Sequence, residues 1–258
     1  GPEGDLLKAV LYAVNQFCEM DDDGPAVENV SENLQDLVRD ASHKMSKFRA
    51  VISADDFDIA FQPIVRIDTR EIHHFEALAR FGGGSTRSPY ELITFAESTG
   101  LICDFDFAMC RRVIAWLETA SADGKPWSLA WNLSGRSVGN SAFLSALLKL
   151  LDEHQTVRRR LVIEITESAR IRDLNSANNF IQTLRKAGHI VCLDDFGAGA
   201  SALRYLHDLD IDIVKIDGRY IRGAISVRKV RAFLRAIASL CAELGISTVA
   251  EMVEDEAT

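Results

Sequence analysis

Acidic residues recur in this chain within or just after short apolar runs, and they are the residues best suited to chemistry. One asparagine and one lysine occur at equivalent places. In chain order the set is Glu76, Asn132, Glu164, Glu167, Asp194, Asp195, Lys215, Asp217, Glu251 and Glu254. In α/β barrels the active site lies at the carboxyl ends of the strands. We therefore expect these side chains to meet at one mouth, although they are far apart in the sequence.

Several carboxylates gathered at one mouth imply a bound cation, because otherwise they repel one another and some stay protonated. Carboxylate and amide oxygens suit Mg²⁺ or Mn²⁺. Asp194 could bridge two ions about 3.5–4 Å apart, the geometry used for in-line phosphodiester cleavage. Lys215 could orient the attacking water or neutralise charge in the transition state. A single strand-end acid is more often a loop or cap residue, so the ordered set carries the prediction of a metal-dependent, phosphate-handling site.

The elements that would position these residues alternate between strand and helix from Phe57 onward. The apolar runs predict strands at 59–65, 73–79, 127–133, 161–165, 190–193, 213–216 and 248–250. Amphipathic spacing predicts helices at 89–98, 105–119, 141–154, 175–186, 201–207 and 227–244. This alternation indicates an α/β fold with a mostly parallel sheet, a TIM-like (β/α) barrel. The short link around 68–70 predicts a hairpin, so the first strand pair should be antiparallel.

The first part of the chain has a different pattern. Apolar spacing predicts helices at Leu6–Cys18 and 27–51, separated by the breaker Asp21–Pro25. We predict a helical linker or capping segment over residues 1–55 and a barrel over 56–258. The two helices could cap the barrel, transmit a signal or form a dimer contact, and the sequence leaves these alternatives open.

Composition excludes several classes of protein. The 258 residues carry a net charge of −9, which argues against binding to duplex nucleic acid. The five cysteines include no C-x-x-C pair, and this pattern indicates reduced thiols in a cytoplasmic protein. No apolar run reaches about 18 residues, so no membrane span is expected. The histidines are scattered, which argues against a histidine-rich metal site, and His73 and His74 are interpreted as structural.

Seven short motifs, taken in order, resemble the EAL family of cyclic di-GMP phosphodiesterases. They are F-Q-P-I-V at 61–65, F-E-A-L-A-R at 75–80, N-L-S at 132–134, E-I-T-E-S at 164–168, D-D-F-G at 194–197, K-I-D at 215–217 and A-E-M-V-E at 250–254. The similarity runs from about Asp56 to the end of the chain. It implies hydrolysis of cyclic di-GMP to linear pGpG in bacterial second-messenger signalling, with two Mg²⁺ or Mn²⁺ ions and inhibition by Ca²⁺.

The resemblance also implies a role for each matching residue. One ion would be bound by Glu76, Asn132, Glu164 and Asp194. The other would be bound by Asp194, Asp195 and Glu251. The resemblance gives catalytic roles to Glu251, as general base, to Lys215, which contacts the attacking water, and to Glu76. Glu167 matches a glutamate that stabilises the loop after D-D-F-G. The positions near the substrate are Gln62, Arg80, Asp217 and Glu254.

Three departures from the family pattern stand out. Ala198 and Ala200 replace residues that are often Thr and Tyr, and Met252 replaces a common Gly. The family-like part is about 200 residues, against about 250 for a typical barrel, so we expect the last strand of the barrel to be missing from this chain.

Two alternatives to the enzyme stay open. One is a non-catalytic cyclic di-GMP receptor that signals through its N-terminal helices. The other is a structural barrel without a nucleotide ligand, in which unpaired buried acids would be costly. A homodimer and an upstream sensory domain are expectations from the resemblance alone.

Overall fold

A computed structural model of the protein describes residues 2–19, 30–82, 88–125, 127–166, 173–197 and 202–253. The strands are β1 (Asp58–Val65), β2 (Ile72–Arg80), β3 (Leu129–Ser134), β4 (Leu161–Thr166), β5 (Ile190–Phe196), β6 (Ile213–Ile216) and β7 (Ser247–Ala250). The helices are α1 (Pro2–Glu19), α2 (Val30–Ser53), α3 (Pro89–Thr99), α4 (Ile102–Ala122), α5 (Gly135–Val138), α6 (Ser141–Glu153), α7 (Leu174–Lys186), α8 (Ala202–Asp208), α9 (Gly218–Ser226) and α10 (Arg228–Glu243). Within these ranges, no helix is both long and apolar enough to cross a membrane.

The strands form one sheet in chain order, from β1 to β7. All pairs from β2–β3 to β6–β7 are parallel. β1 and β2 are joined by a tight turn, in which the backbone N–H of Arg66 donates to the carbonyl of Glu71 at 2.9 Å. The mostly parallel sheet and the antiparallel first pair confirm the predicted pattern, because a turn of this length can only reverse the chain.

Two layers of side chains follow one another on the same face of the central strands. The lower layer is an apolar cluster of Ala130, Val162, Cys192 and Ile213. Two residues further along the same four strands come Asn132, Glu164, Asp194 and Lys215. Side chains alternate with a period of two along a strand, so the apolar cluster forms a floor beneath the polar residues. This is how the sheet brings the candidate site together.

The observed elements differ from the predicted ones mainly at their ends and in two short helices. α5 and α9 were not predicted. The side chain of Ser134 accepts from the backbone N–H of Arg136 at the start of α5, and Asp217 accepts from that of Arg219 at the start of α9. α5 is too short to show helical periodicity, and α9 contains Gly218 and Gly223, which lower its intrinsic preference for helix. Local capping stabilises both helices.

The chain divides into two compact units. One comprises residues 1–59 and 79–108, where α1 packs along α2 and Asp5 forms an ion pair with Arg49. In this unit Phe105 lies within ring contact of Phe48 and Phe57, with centroids 5.9 and 5.6 Å away. The other unit comprises residues 60–78 and 109–258 and contains most of the sheet.

Candidate active site

The strand-end carboxylates form two groups that share one residue. Oxygens of Glu76, Glu164 and Asp194 lie within 4.8 Å of one another, and so do oxygens of Asp194, Asp195 and Glu251. The structure thus brings together five of the acids that the sequence singled out. Asp194 belongs to both groups, which is the arrangement that two cations sharing one carboxylate would need.

Lys215 lies at the centre of this acidic cluster and is 3% exposed. Its Nζ lies 3.2 Å from Oε2 of Glu76, 3.2 Å from Oε2 of Glu164, 3.0 Å from Oδ1 of Asp194 and 3.1 Å from Oε1 of Glu251. One ammonium cannot balance four carboxylates, so the ionised cluster keeps an excess of negative charge. Buried charges need compensation, and divalent cations with oxygen ligands would supply it.

Two buried oxygens add to the case for cations. Asn132 donates from Nδ2 to Oε1 of Glu76 at 2.9 Å, and its own Oδ1 is buried without a hydrogen-bond partner in the described part of the chain. Oε1 of Glu164 is likewise buried and unpartnered there. Amide and carboxylate oxygens are the ligands that Mg²⁺ and Mn²⁺ prefer, so the residues present fit such ions.

The acids of the cluster are hard to ionise without a cation. Burial, with Glu76 and Asp194 nearby, raises the pKa of Glu164 to about 8, against the opposing effect of Lys215. Burial and Asp194 raise the pKa of Glu251 to about 8 as well. Burial alone would lower the pKa of Lys215, but the surrounding carboxylates outweigh it and hold the pKa well above its ordinary value. The cluster therefore keeps its ammonium charged and stores protons that a metal ion would displace.

This proton uptake gives a first prediction, on the stability of the metal-free protein. The folded pKa values of Glu164 and Glu251 lie near 8, above the ordinary 4.5, so the folded state binds more protons between these pH values. The unfolding free energy must then fall as pH rises through that range. Buried His74 and His189, with pKa values lowered to about 4, act in the opposite sense below about 6.5.

The net decrease in the free energy of unfolding should therefore be clearest between pH 6.5 and 8. It should be on the order of 2 kcal/mol, which corresponds to about 4–8 °C in melting temperature. Thermal melts with EDTA across this range measure the loss, and Mn²⁺ should abolish it by stabilising the ionised acids. A metal-free protein whose melting temperature rises from pH 6.5 to 8 contradicts the prediction.

An irregularity in β5 explains how two consecutive acids can both reach the cluster. In a regular strand Asp194 and Asp195 would point to opposite faces. The pairing of β5 with β6 shifts between Leu193 and Phe196, and Asp195 has a left-handed φ of 57°. Its backbone N–H donates to Oδ1 of Asp194 at 2.9 Å. Bulges of this kind redirect side chains next to functional sites.

Gly197 follows with a φ of 100°, and a Cβ there would lie 2.6 Å from Tyr220. Only glycine fits both the backbone conformation and the space at this position.

The remaining predicted residues are placed as follows. Asp217 is buried, caps the start of α9 and accepts from Nε and Nη2 of Arg219, which lowers its pKa. Gln62 is exposed on β1. Arg80 is exposed at the end of β2 and belongs to the compact unit formed by residues 1–59 and 79–108. Their contacts with substrate stay predictions. Glu167, Ala198, Ala200 and Glu254 lie outside the described residues.

Met252 follows Glu251 with a φ of 52°, in the left-handed region. A glycine adopts this conformation at little cost, whereas a methionine is strained in it. The methionine in place of the family's common glycine therefore strains the backbone beside the cluster.

One buried residue near the cluster was interpreted only as structural. Nε2 of His74 lies 3.9 Å from Oε1 of Glu164, and the side chain of His74 is 2% exposed. The signal in the sequence was the spacing of two between His74 and Glu76, which places both on one face of β2.

Comparisons with known proteins agree with this geometry. The chain matches the EAL domain family over residues 45–258. It is 30% identical to a cyclic di-GMP phosphodiesterase of Pseudomonas aeruginosa, over 81% of this chain and 36% of that protein. It is 31% identical to the cyclic di-GMP phosphodiesterase PdeB of Shewanella oneidensis, over 67% of this chain and 20% of that protein. The solved structure of the phosphodiesterase PaMucR with c-di-GMP is similar with a TM-score of 0.71 at 28% identity, covering 83% of this chain and 88% of that one.

The fold and the cluster together define an α/β barrel-type domain with carboxylates at its strand ends. The chain belongs to the EAL domain family, which confirms the resemblance and the TIM-like fold class. It spans 36% and 20% of the length of the two curated relatives described above.

Proposed function

We propose that this chain hydrolyses cyclic di-GMP to linear pGpG in a reaction that requires two Mg²⁺ or Mn²⁺ ions. The observation that carries the proposal is the pair of carboxylate groups that share Asp194, with Lys215 between them. The relatives named as cyclic di-GMP phosphodiesterases support the substrate. When bound, the two ions would activate water as a nucleophile and stabilise negative charge on the phosphoryl and leaving oxygens.

The residues of the cluster have different proposed roles. Glu76, Asn132, Glu164 and Asp194 would hold one ion, and Asp194, Asp195 and Glu251 the other. Glu251 is the most exposed of the four acids around Lys215, with 18% of its side chain accessible, so it is the acid best placed to reach a water at the mouth of the site and act as general base. The Lys215 ammonium keeps its charge and can orient the nucleophile.

The proposal includes further expectations for the whole protein. Ca²⁺ should occupy the oxygen ligands without supporting turnover, since it tolerates looser geometry than Mg²⁺. A homodimer, an upstream sensory domain and a cytoplasmic location are proposed with the activity.

The direct test is turnover by the full chain. Purified protein with Mn²⁺ should convert cyclic di-GMP to pGpG, measured by chromatography of the nucleotides. Glu76→Ala should reduce turnover at least about a hundredfold, because it removes one carboxylate from the first group and the partner of Asn132. Glu153→Ala, on the exposed face of α6, is the control and should leave turnover unchanged.

The outcomes separate the enzyme from the alternative. A chain that binds cyclic di-GMP with Mn²⁺ present but releases no pGpG is a receptor, and the proposed hydrolysis is then wrong. A Glu76→Ala variant with normal turnover rejects the assignment of the metal ligands.

A further inference from the structure

Two adjacent histidines on β2 have no part in the proposed reaction, although one of them faces the acidic cluster. His74 is two residues before Glu76, so both side chains lie on the same face of the strand. Its ring is almost fully buried, and Nε2 lies 3.9 Å from Oε1 of Glu164. The imidazole of His74 therefore lies behind one of the candidate metal ligands.

The two carboxylate oxygens of Glu164 have different surroundings. Oε2 lies 3.2 Å from Nζ of Lys215, which also contacts Oε2 of Glu76 at 3.2 Å. Oε1 is buried and has no hydrogen-bond partner among the described residues. A buried, unpaired carboxylate oxygen is costly. Oε2 therefore faces the other carboxylates, and Oε1 faces His74.

His73 can fix the tautomer of His74. The Nδ1 atoms of the two rings lie 2.7 Å apart. Two neutral rings at this distance share one proton, so one Nδ1 donates and the other accepts. When His73 is the donor, His74 carries its own proton on Nε2, the atom that faces Glu164. The hydrogen bond made by one ring nitrogen thus decides what the other nitrogen can do.

We propose that His73 and His74 form a hydrogen-bonded relay that orients Glu164 for cation binding. Nδ1–H of His73 donates to Nδ1 of His74, and Nε2–H of His74 donates to Oε1 of Glu164. The second lone pair of Oε1, together with Oε2, then stays available to the cation. The 3.9 Å separation is longer than a hydrogen bond, and a rotation of the carboxylate as the cation binds would close it. His74 is a positioning residue, and its role rests on the proposed function through the cation that Glu164 would hold.

The test is the affinity for Mn²⁺, measured by calorimetric titration in the absence of nucleotide. His74→Leu keeps the bulk of the ring but removes the donor. It should weaken Mn²⁺ binding about 10–100-fold, as is typical when a hydrogen-bond partner of a metal ligand is lost. His74→Gln places an amide N–H near the position of Nε2 and should recover most of the affinity. This rescue distinguishes positioning from simple packing.

A second pair of variants tests the first step of the relay. His73 is exposed, so its replacement threatens the fold less than that of His74. His73→Leu leaves His74 without a donor at Nδ1 and should weaken Mn²⁺ binding, by less than His74→Leu does. His73→Asn restores an N–H near the position of Nδ1 and should restore the affinity.

His189 provides the matched control, because it is another buried histidine, 3% exposed, and precedes β5. His189→Leu should change the melting temperature but not the Mn²⁺ affinity. A folded His74→Leu variant that binds Mn²⁺ as tightly as the wild type overturns the relay. Should His74→Leu fail to fold, an unchanged affinity in His73→Leu overturns it instead.

Turnover of cyclic di-GMP is measured separately from Mn²⁺ affinity, so the proposed hydrolysis and the proposed relay can fail independently. If His74→Leu weakens Mn²⁺ binding as expected but the wild type makes no pGpG, the proposed hydrolysis is wrong and the relay stands. A wild-type chain that binds no Mn²⁺ overturns both.

Discussion

Replacing Glu164 by glutamine is expected to abolish hydrolysis and, at the same time, to stabilise the metal-free protein. Glutamine has the size of glutamate but no charge. Burial raises the pKa of Glu164 to about 8, so the wild-type side chain ionises at alkaline pH only at a cost. Glu164→Gln removes that cost, while Lys215 keeps its contacts with Glu76, Asp194 and Glu251.

The expected gain in the free energy of unfolding is on the order of 1–2 kcal/mol at pH 8 with EDTA, and it should shrink as pH falls toward 6.5. With Mn²⁺ the order reverses. The wild type gains stability from bound cations, and the variant does not, because one ligand of the first group has lost its charge. Turnover should fall at least about a thousandfold, which corresponds to about 4 kcal/mol of transition-state stabilisation.

Thermal melts of both proteins, each with EDTA and with Mn²⁺, measure these four stabilities. Glu153→Gln on the surface of α6 makes the same chemical change without burial, and it should alter none of them. A Glu164→Gln variant that is less stable than the wild type in EDTA contradicts the account of the buried charge. One that keeps a normal Mn²⁺-induced rise in melting temperature contradicts the metal assignment.

The opposite signs expected for stability and activity reflect how the sheet builds this site. The apolar floor of the barrel could continue upward with leucine or valine, but the next layer is made of one asparagine, two acids and one lysine. Like charges held in a buried layer destabilise the fold until cations bind. A site of this kind binds cations more tightly but makes the metal-free fold less stable, as is common where function needs strained or charged residues.

The sequence was enough to predict the composition of the cluster because strand ends obey a simple rule. Each acid lies within or just after an apolar run, and parallel strands bring their carboxyl ends to one edge of the sheet. This rule found Glu76, Glu164, Asp194 and Glu251 without any knowledge of distances. The antiparallel first pair was equally accessible, because the short turn near Arg66 leaves no room for a crossover helix.

Features that depend on backbone irregularity or on tertiary contacts could not be predicted. The shift in pairing between Leu193 and Phe196 has no marker in the residue pattern, and it decides where Asp195 points. The contact between His74 and Glu164 joins strands that are not neighbours in the sheet, so the spacing within β2 places His74 on the face of Glu76 but does not reveal this contact. The capping of α9 by Asp217 was missed because the same residue also fitted a place near the substrate.

Lys215→Met is expected to cause the largest loss of stability of any single change in the cluster. The Lys215 side chain is 3% exposed and lies within 3.2 Å of four carboxylates. Methionine keeps much of the volume but removes the charge that holds these acids together. Breaking a buried ion pair by removing one partner costs about 3–5 kcal/mol, because the remaining charge is left uncompensated.

Mn²⁺ should restore much of the stability of Lys215→Met, since the two ions supply positive charge among the same oxygens. It should not restore turnover, because Lys215 is proposed to orient the nucleophile. Urea denaturation with EDTA and with Mn²⁺ gives the two free energies of unfolding. Lys149→Met, an exposed lysine on α6 beside Glu153, is the control and should change neither value by more than about 0.5 kcal/mol. An equal loss of stability in Lys215→Met with and without Mn²⁺ would mean that cations do not bind among these carboxylates, and the two-ion assignment would then fail.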